Sequence, residues 1–124
     1  SLLSPLVAMG NTVVLIPSER FPLIATDFYQ VLETSDVPPG VVNIVTGSKV
    51  LLASVLAEHD DVDAVWLAGQ GELGKIVEEL STGNLKQTWV SKGARDWFDP
   101  KLAQGREFLR RATQVKNLWV PYGE

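Results

Sequence analysis

Four short apolar runs alternate with segments of helical spacing along the first three quarters of the chain. Each run is apolar at consecutive positions and rich in β-branched residues, as is typical of strands covered on both faces. The segments between them carry apolar residues three and four apart, which predicts helices. Because each connection is long enough for a crossover, the pattern predicts an α/β fold with an open parallel sheet and helices on both faces. The runs cover residues 12–16, 41–45, 62–68 and 85–90. The predicted helices cover residues 21–34 and 49–58, and a third is opened by residues 69–74 and runs to about residue 80.

The alternation ends near Gly93. Lys, Arg, Asp and Pro dominate up to about residue 105, a short helix is predicted over 106–112, and a final apolar run predicts a strand over 115–120. We therefore divide the chain into an α/β domain (1–93), a linker (94–104) and a tail (105–124).

Composition narrows the possible chemistry. The chain has 124 residues, 45% hydrophobic, with a net charge of −4, no cysteine and one histidine. The absence of cysteine excludes a disulfide scaffold, a cysteine zinc site and a thiol nucleophile from within this chain. Without a basic stripe or a long apolar run, we expect neither a nucleic acid nor a membrane partner, and we expect a cytoplasmic protein. The chain begins in mid-pattern, so we expect it to be a piece of a longer protein.

A GxGxxG sequence spans residues 69–74 between the third predicted strand and the helix that follows it. Glycines in this context let a phosphate approach backbone amides at a helix N-terminus. However, the fingerprint belongs to the first strand of such a domain, with an acidic residue about 20 positions further on, where this chain has Ser91 and Lys92. Nucleotide binding and a tight structural turn therefore remain equal alternatives.

Few other residues suggest chemistry. His59 is predicted to cap a helix C-terminus, where the dipole favours a cation, and the acidic residues after it lack the spacing of a metal loop. Trp66 and Trp89 fall within strands and are predicted to lie in the core, whereas Trp97 and Trp119 are candidates for an interface. We predict no metal site.

Several segments together resemble the NAD(P)-dependent aldehyde dehydrogenase family. Residues 10–19 read GNTVVLIPSE, residues 38–47 read PPGVVNIVTG, and residues 58–69 read EHDDVDAVWLAG. Each is similar to a family segment, and NLK at 84–86, GRE at 105–107 and TQVK at 113–116 resemble shorter family motifs. The resemblance implies a Rossmann-type domain whose first strand is missing, followed by the family's C-terminal tail with an oligomerisation strand.

The chain differs from the family at the positions that carry the family's catalytic residues. The family's cysteine-bearing catalytic domain would lie where this chain has only residues 94–104, and Ser91 stands in the position of the general-base glutamate. The resemblance places the oxyanion-stabilising asparagine before Ser1. Loss of a general base costs about 10² to 10⁴ in rate, but loss of the nucleophile removes the thioester route altogether.

The resemblance also assigns a cofactor site that this chain retains only in part. Glu19 would bind the adenosine ribose, but Ile16 replaces the family's lysine. After Gly47 the family's glycine-rich continuation is replaced by Ser48-Lys49-Val50, and Gln70 replaces a small serine near the pyrophosphate. Both changes place bulk where backbone should meet the ligand. NAD binding is therefore expected to be weak or lost. The implied cofactor-binding residues are Ser18, Glu19, Gly47, Gly69, Gln70 and Gly74.

The pattern of losses is similar to the second, degenerate module of aldehyde dehydrogenase family sixteen. It implies a non-catalytic module that acts in structure, oligomerisation or protein interaction. Its partners would be another module or subunit of the parent protein, in a homodimer. The tail would make this contact through Val115, Leu118, Trp119 and Val120. The alternative is the cofactor-binding part of an active NAD(P)-dependent aldehyde dehydrogenase that oxidises aldehydes to carboxylic acids.

Overall fold

The computed structural model describes residues 1–69, 71–91, 93, 95–115 and 117–123. Helices and strands alternate through most of this part of the chain, as the hydrophobic pattern predicts. The strands are β1 (Val13–Leu15), β2 (Val42–Ile44), β3 (Ala64–Leu67) and β4 (Gln87–Val90). The helices are α1 (Leu3–Ala8), α2 (Leu23–Glu33), α3 (Lys49–Glu58), α4 (Glu72–Leu80), α5 (Pro100–Ala103) and α6 (Arg106–Arg111).

The strands form two parallel pairs. In the first pair, β1 lies beside β2 with Val13 opposite Val42. In the second, β3 lies beside β4 with Trp66 opposite Trp89. The parallel orientation was predicted, but the single open sheet was not formed, because β1–β2 and β3–β4 are separate sheets. A continuous sheet needs direct pairing of β1 with β3 or a strand between them, and the described residues supply neither.

The core lies where α3 and α4 pack together. Ala53 and Ala57 are four residues apart on one face of α3, and they are buried with Leu67 of β3 and Val77 of α4. The small alanine side chains allow close approach of the helix that follows β2 to the helix that follows β3. This contact joins the two halves of the α/β domain.

Asn11 holds the C-terminal part against the first strand. Its side-chain amide nitrogen donates to the carbonyl oxygens of Leu6, at 3.0 Å, and Ala112, at 2.9 Å. Helix α1 also contacts α6. The Asn11 side chain, just before β1, therefore joins helix α1 to the C-terminal end of helix α6.

The last part of the chain departs from the prediction in two ways. Helix α5 lies in the segment expected to be irregular, where the Asp99 carboxylate accepts from the Lys101 backbone N–H at 2.9 Å and Pro100 opens the helix. The strand predicted over 115–120 is not formed, since residues 113–115 and 117–123 are neither helical nor paired. The physical reason is that an edge strand needs a neighbouring strand, and these residues have none within the described part.

Candidate functional site

The carboxyl ends of β1 and β2 open into a cleft of about 440 Å³. Three of the predicted cofactor residues lie in its wall: Ser18 and Glu19 follow β1, and Gly47 follows β2. Parallel strands place their carboxyl ends at one edge, which is why residues almost 30 positions apart in sequence meet there. The rest of the wall consists of Pro17, Pro22, Thr46 and Ser48.

Two polar side chains of this cleft, those of Ser18 and Glu19, already have partners within the chain. The Glu19 carboxylate accepts a hydrogen bond from the Lys49 backbone N–H at the start of α3. The Ser18 hydroxyl accepts from the Arg20 backbone N–H at 3.2 Å. Glu19 therefore acts as a cap of α3, a role that the sequence did not indicate.

The turn from β3 to α4 uses its glycines for two purposes. Gly69 and Gly71 have φ values of 137° and 119°, a region that favours glycine. Gly74 lies inside α4, and a Cβ added there would meet Val90 Cγ1 at 2.8 Å. The third glycine thus permits close packing of helix on strand, which favours the structural-turn alternative for this position. Gln70, the remaining candidate of this motif, lies outside the described residues.

Ser91 follows β4 and continues its ladder, since its backbone N–H donates to the Leu67 carbonyl at 3.0 Å. Its hydroxyl donates to the carbonyl oxygen of Gly93 at 3.3 Å. The side chain at the general-base position is therefore an alcohol engaged with its own loop.

Lys86 is a buried cation that the sequence analysis did not single out. Its ammonium donates to the carbonyl oxygens of Ala57 at 2.6 Å and His59 at 2.7 Å, at the C-terminus of α3. His59 occupies the predicted C-cap position, but its ring Nδ1 accepts from the Asp61 backbone N–H at 3.2 Å. The cation at this helix end is supplied by Lys86. The sequence signal for this contact is the NLK segment, whose lysine is Lys86.

Aromatic side chains link β3, β4 and α6. The rings of Trp66 and Trp89 pack edge to face with centroids 4.8 Å apart, and Trp89 packs in the same way on Phe108 at 5.3 Å. The Arg95 guanidinium lies 5.3 Å from the centre of the Trp89 ring and 5.7 Å from that of Trp97. Trp66 and Trp89 are only partly buried, but they form the cluster expected of packed strand residues.

The apolar residues of the tail are exposed. Leu118 and Trp119 expose 87% and 93% of their surface, and Val115 and Val120 are also exposed. Isolated exposed apolar residues are ordinary, whereas these lie close together in sequence. In the described part of the chain, no group of three or more histidine or acidic residues could hold a metal ion, and no helix has the length and hydropathy needed to cross a bilayer.

Comparison with known proteins connects these features to a family. The family model for the aldehyde dehydrogenase family matches residues 2–98. The chain belongs to the aldehyde dehydrogenase family. The match includes the cleft residues and Ser91, and it ends before the tail.

Individual members of the aldehyde dehydrogenase family give the same result. The chain is 36% identical over 95 residues to cytosolic aldehyde dehydrogenase 1 of Elephantulus edwardii, covering 76% of this chain and 19% of that protein. It is 34% identical over 94 residues to the NADP/NAD-dependent aldehyde dehydrogenase PuuC of Escherichia coli, covering 75% of this chain and 19% of the relative. The crystal structure of an aldehyde dehydrogenase from Bartonella henselae superposes with a TM-score of 0.63 at 31% identity, covering 68% of this chain and 18% of that one. The chain thus spans about a fifth of the length of these aldehyde dehydrogenases.

Proposed function

We propose that this chain is a non-catalytic module of a larger aldehyde dehydrogenase, corresponding to the second, degenerate module of family sixteen, and that it serves in oligomerisation or protein interaction. Its two strand pairs are then the two sides of a Rossmann-type sheet with helices on both faces, whose first strand is not among these 124 residues and would lie between them. By analogy with the cytosolic relative, we place the parent protein in the cytoplasm.

The observation that carries this proposal is the size of the exposed surface. The chain exposes 9441 Å². A compact monomer of its 13.6 kDa mass exposes about 6,600 Å². The excess, more than 2,000 Å², is of the size that obligate interfaces bury. Much of it is apolar, including Leu23 and Ile24 of α2, Leu51 of α3 and the tail. A surface of this kind supports a module that is covered by the rest of the parent chain or by another subunit.

The chemistry supports the non-catalytic part of the proposal. No cysteine is present among the 124 residues, so no thiolate from this chain can attack an aldehyde. The Ser91 hydroxyl, bonded to the Gly93 carbonyl, is no proton acceptor at neutral pH. Neither half of the thioester route is provided by these residues.

The tail provides the test of this proposal. We expect a chain truncated after Gln114 to lose self-association, because Leu118, Trp119 and Val120 are removed. The double substitution Leu118→Asp with Trp119→Asp should have the same effect at full length, since it places charge in the interface. Sedimentation velocity over a concentration series measures both.

Phe98→Asp is the matched control, because Phe98 is exposed and apolar but lies outside the tail. It should leave the sedimentation profile of the parent chain unchanged. A profile that is identical for the parent, the truncated chain and the double variant would refute an oligomerising tail.

A second function, the cofactor-binding part of an active NAD(P)-dependent aldehyde dehydrogenase, is favoured by one observation. The structure brings Ser18, Glu19 and Gly47 together in a single cleft at the strand ends. NAD does not fit the arrangement as it stands, because the Glu19 carboxylate is bonded to the Lys49 N–H and the Lys49 side chain extends to the end of β3. Calorimetric titration with NAD separates the two functions: micromolar dissociation supports the cofactor-binding part, and no heat up to millimolar NAD supports the non-catalytic module.

A further inference from the structure

The Lys49 side chain joins two strand ends that belong to different sheets. Lys49 follows β2 and begins α3, and its ammonium donates to the carbonyl oxygen of Ala68, directly after β3, at 2.9 Å. The residue is half-buried, and its bond is charge-assisted. The side chain therefore lies across the edge at which the predicted cofactor residues are found.

The same ammonium fills the space beside the first glycine of the GxGxxG turn. A Cβ built on Gly69 would lie 3.6 Å from Lys49 Nζ, so the ammonium is in van der Waals contact with the position that a side chain would take. Glycine at such a turn otherwise leaves the backbone open to a phosphate. Here a side chain of the protein occupies that approach.

The backbone N–H of Lys49 engages a second predicted cofactor residue, Glu19. Its N–H donates to the Glu19 carboxylate, so the acid that the family resemblance assigns to a ribose is already paired. One residue thus engages Glu19 through its backbone and Ala68 through its side chain.

We propose that the Lys49 side chain is an internal plug beside the Gly69 turn that excludes the phosphates of a dinucleotide, and that removing this side chain allows NAD to bind. The inference rests on the proposed non-catalytic function, in which the cleft is empty of cofactor. A ligand that must break a charge-assisted hydrogen bond to enter loses about 10- to 100-fold in affinity. Removing the Lys49 side chain should therefore increase the affinity for NAD by about 10- to 100-fold.

Calorimetric titration of NAD into the full 124-residue chain tests the plug, with parallel titrations of Lys49→Ala, Lys49→Met and Lys75→Ala. Lys49→Ala removes the stem and the ammonium, and alanine suits the first turn of a helix. Lys49→Met retains most of the stem without the donor. Lys75 is the matched control, because its exposed ammonium pairs with Glu72 on the surface of α4, at 2.9 Å. Circular dichroism and thermal unfolding verify that each variant is folded.

We expect Lys49→Ala to bind NAD at least tenfold more tightly than the parent, Lys49→Met to lie between them, and Lys75→Ala to match the parent. Weaker binding by Lys49→Ala would show that Lys49 is a ligand of the phosphates, which overturns the plug. Equal absence of binding in the parent and in folded Lys49→Ala would overturn it as well. Neither result changes the sedimentation test of the tail, so the failure of this inference and the failure of the proposed function can be told apart.

Discussion

Gly74 shows at the scale of one residue why a nucleotide-like motif can serve packing. The space for a side chain at this position is taken by Val90 of β4, in close contact with α4. Gly69 and Gly71, in contrast, are required by backbone conformation. The three glycines of one motif are thus accounted for without a ligand.

Gly74→Ala is expected to destabilise the chain by about 1 to 2 kcal/mol. Overpacking against Val90 lowers the free energy of unfolding by about 1 to 3 kcal/mol. The higher helix propensity of alanine offsets this loss by about 1 kcal/mol or less. Urea denaturation followed by circular dichroism measures the free energy of unfolding. Gly83→Ala is the control, because among the residues that the structure describes no heavy atom beyond its chain neighbours lies within 4 Å of the added Cβ. Equal stability of the two variants would contradict a packing role for Gly74.

The candidate site was only partly predictable at this scale. Ser18, Glu19 and Gly47 were assigned from the resemblance, and the meeting of parallel strand ends explains why they share one cleft. Lys49 was counted only as one of three residues, 48–50, that replace the family's glycine-rich continuation, because its bond to Ala68 depends on how two separate sheets lie beside each other. No local sequence pattern predicts the contact between the Lys49 ammonium and the Ala68 carbonyl oxygen.

At the scale of elements, the C-terminus of α3 depends on a lysine from another segment. The carbonyl groups at a helix end lack intrahelical partners, and the Lys86 ammonium supplies two of them with a donor. Lys86 belongs to the turn before β4, so this contact connects the second strand pair to the helix that follows the first.

Lys86→Met is expected to lower the free energy of unfolding by about 2 kcal/mol, because hydrogen bonds to charged groups contribute about 1.5 to 3 kcal/mol. Because methionine retains the apolar part of the side chain, the decrease in the free energy of unfolding measures the contribution of the ammonium group. Lys75→Met should change stability by less than about 0.5 kcal/mol, since its ion pair with Glu72 is exposed. If both variants proved equally stable in urea titrations, the capping role of Lys86 would be wrong.

Local patterns predicted the elements better than their assembly. Helix α3 spans the predicted residues 49–58, because apolar spacing is a property of the segment itself, although Glu19 and Lys86 from other segments cap its two ends. Helix α1 was missed, since its six residues offer too short a pattern, and α5 depends on an Asp-Pro cap within a charged segment. The single sheet and the final strand failed for another reason: each requires a neighbouring strand, and pairing is a property of the surroundings.

At the scale of the whole molecule, the exposed area determines how the chain should respond to denaturant. The native chain exposes 9441 Å². An unfolded chain of this mass exposes about 19,700 Å² and a compact native one about 6,600 Å². Unfolding therefore exposes about 10,000 Å², compared with about 13,000 Å² for a compact domain of equal mass.

We expect the urea m-value of the monomeric chain to be about a fifth smaller than that of a compact domain of the same length, because m scales with the area exposed on unfolding. The measurement is made at concentrations where sedimentation shows a monomer, and repeated where the chain associates. Association covers apolar surface in the native state only, so it should raise both the m-value and the stability. A monomer whose m-value already equals that of a compact domain would mean that α2 and the tail are covered by the chain itself, which removes the surface on which the interaction function depends.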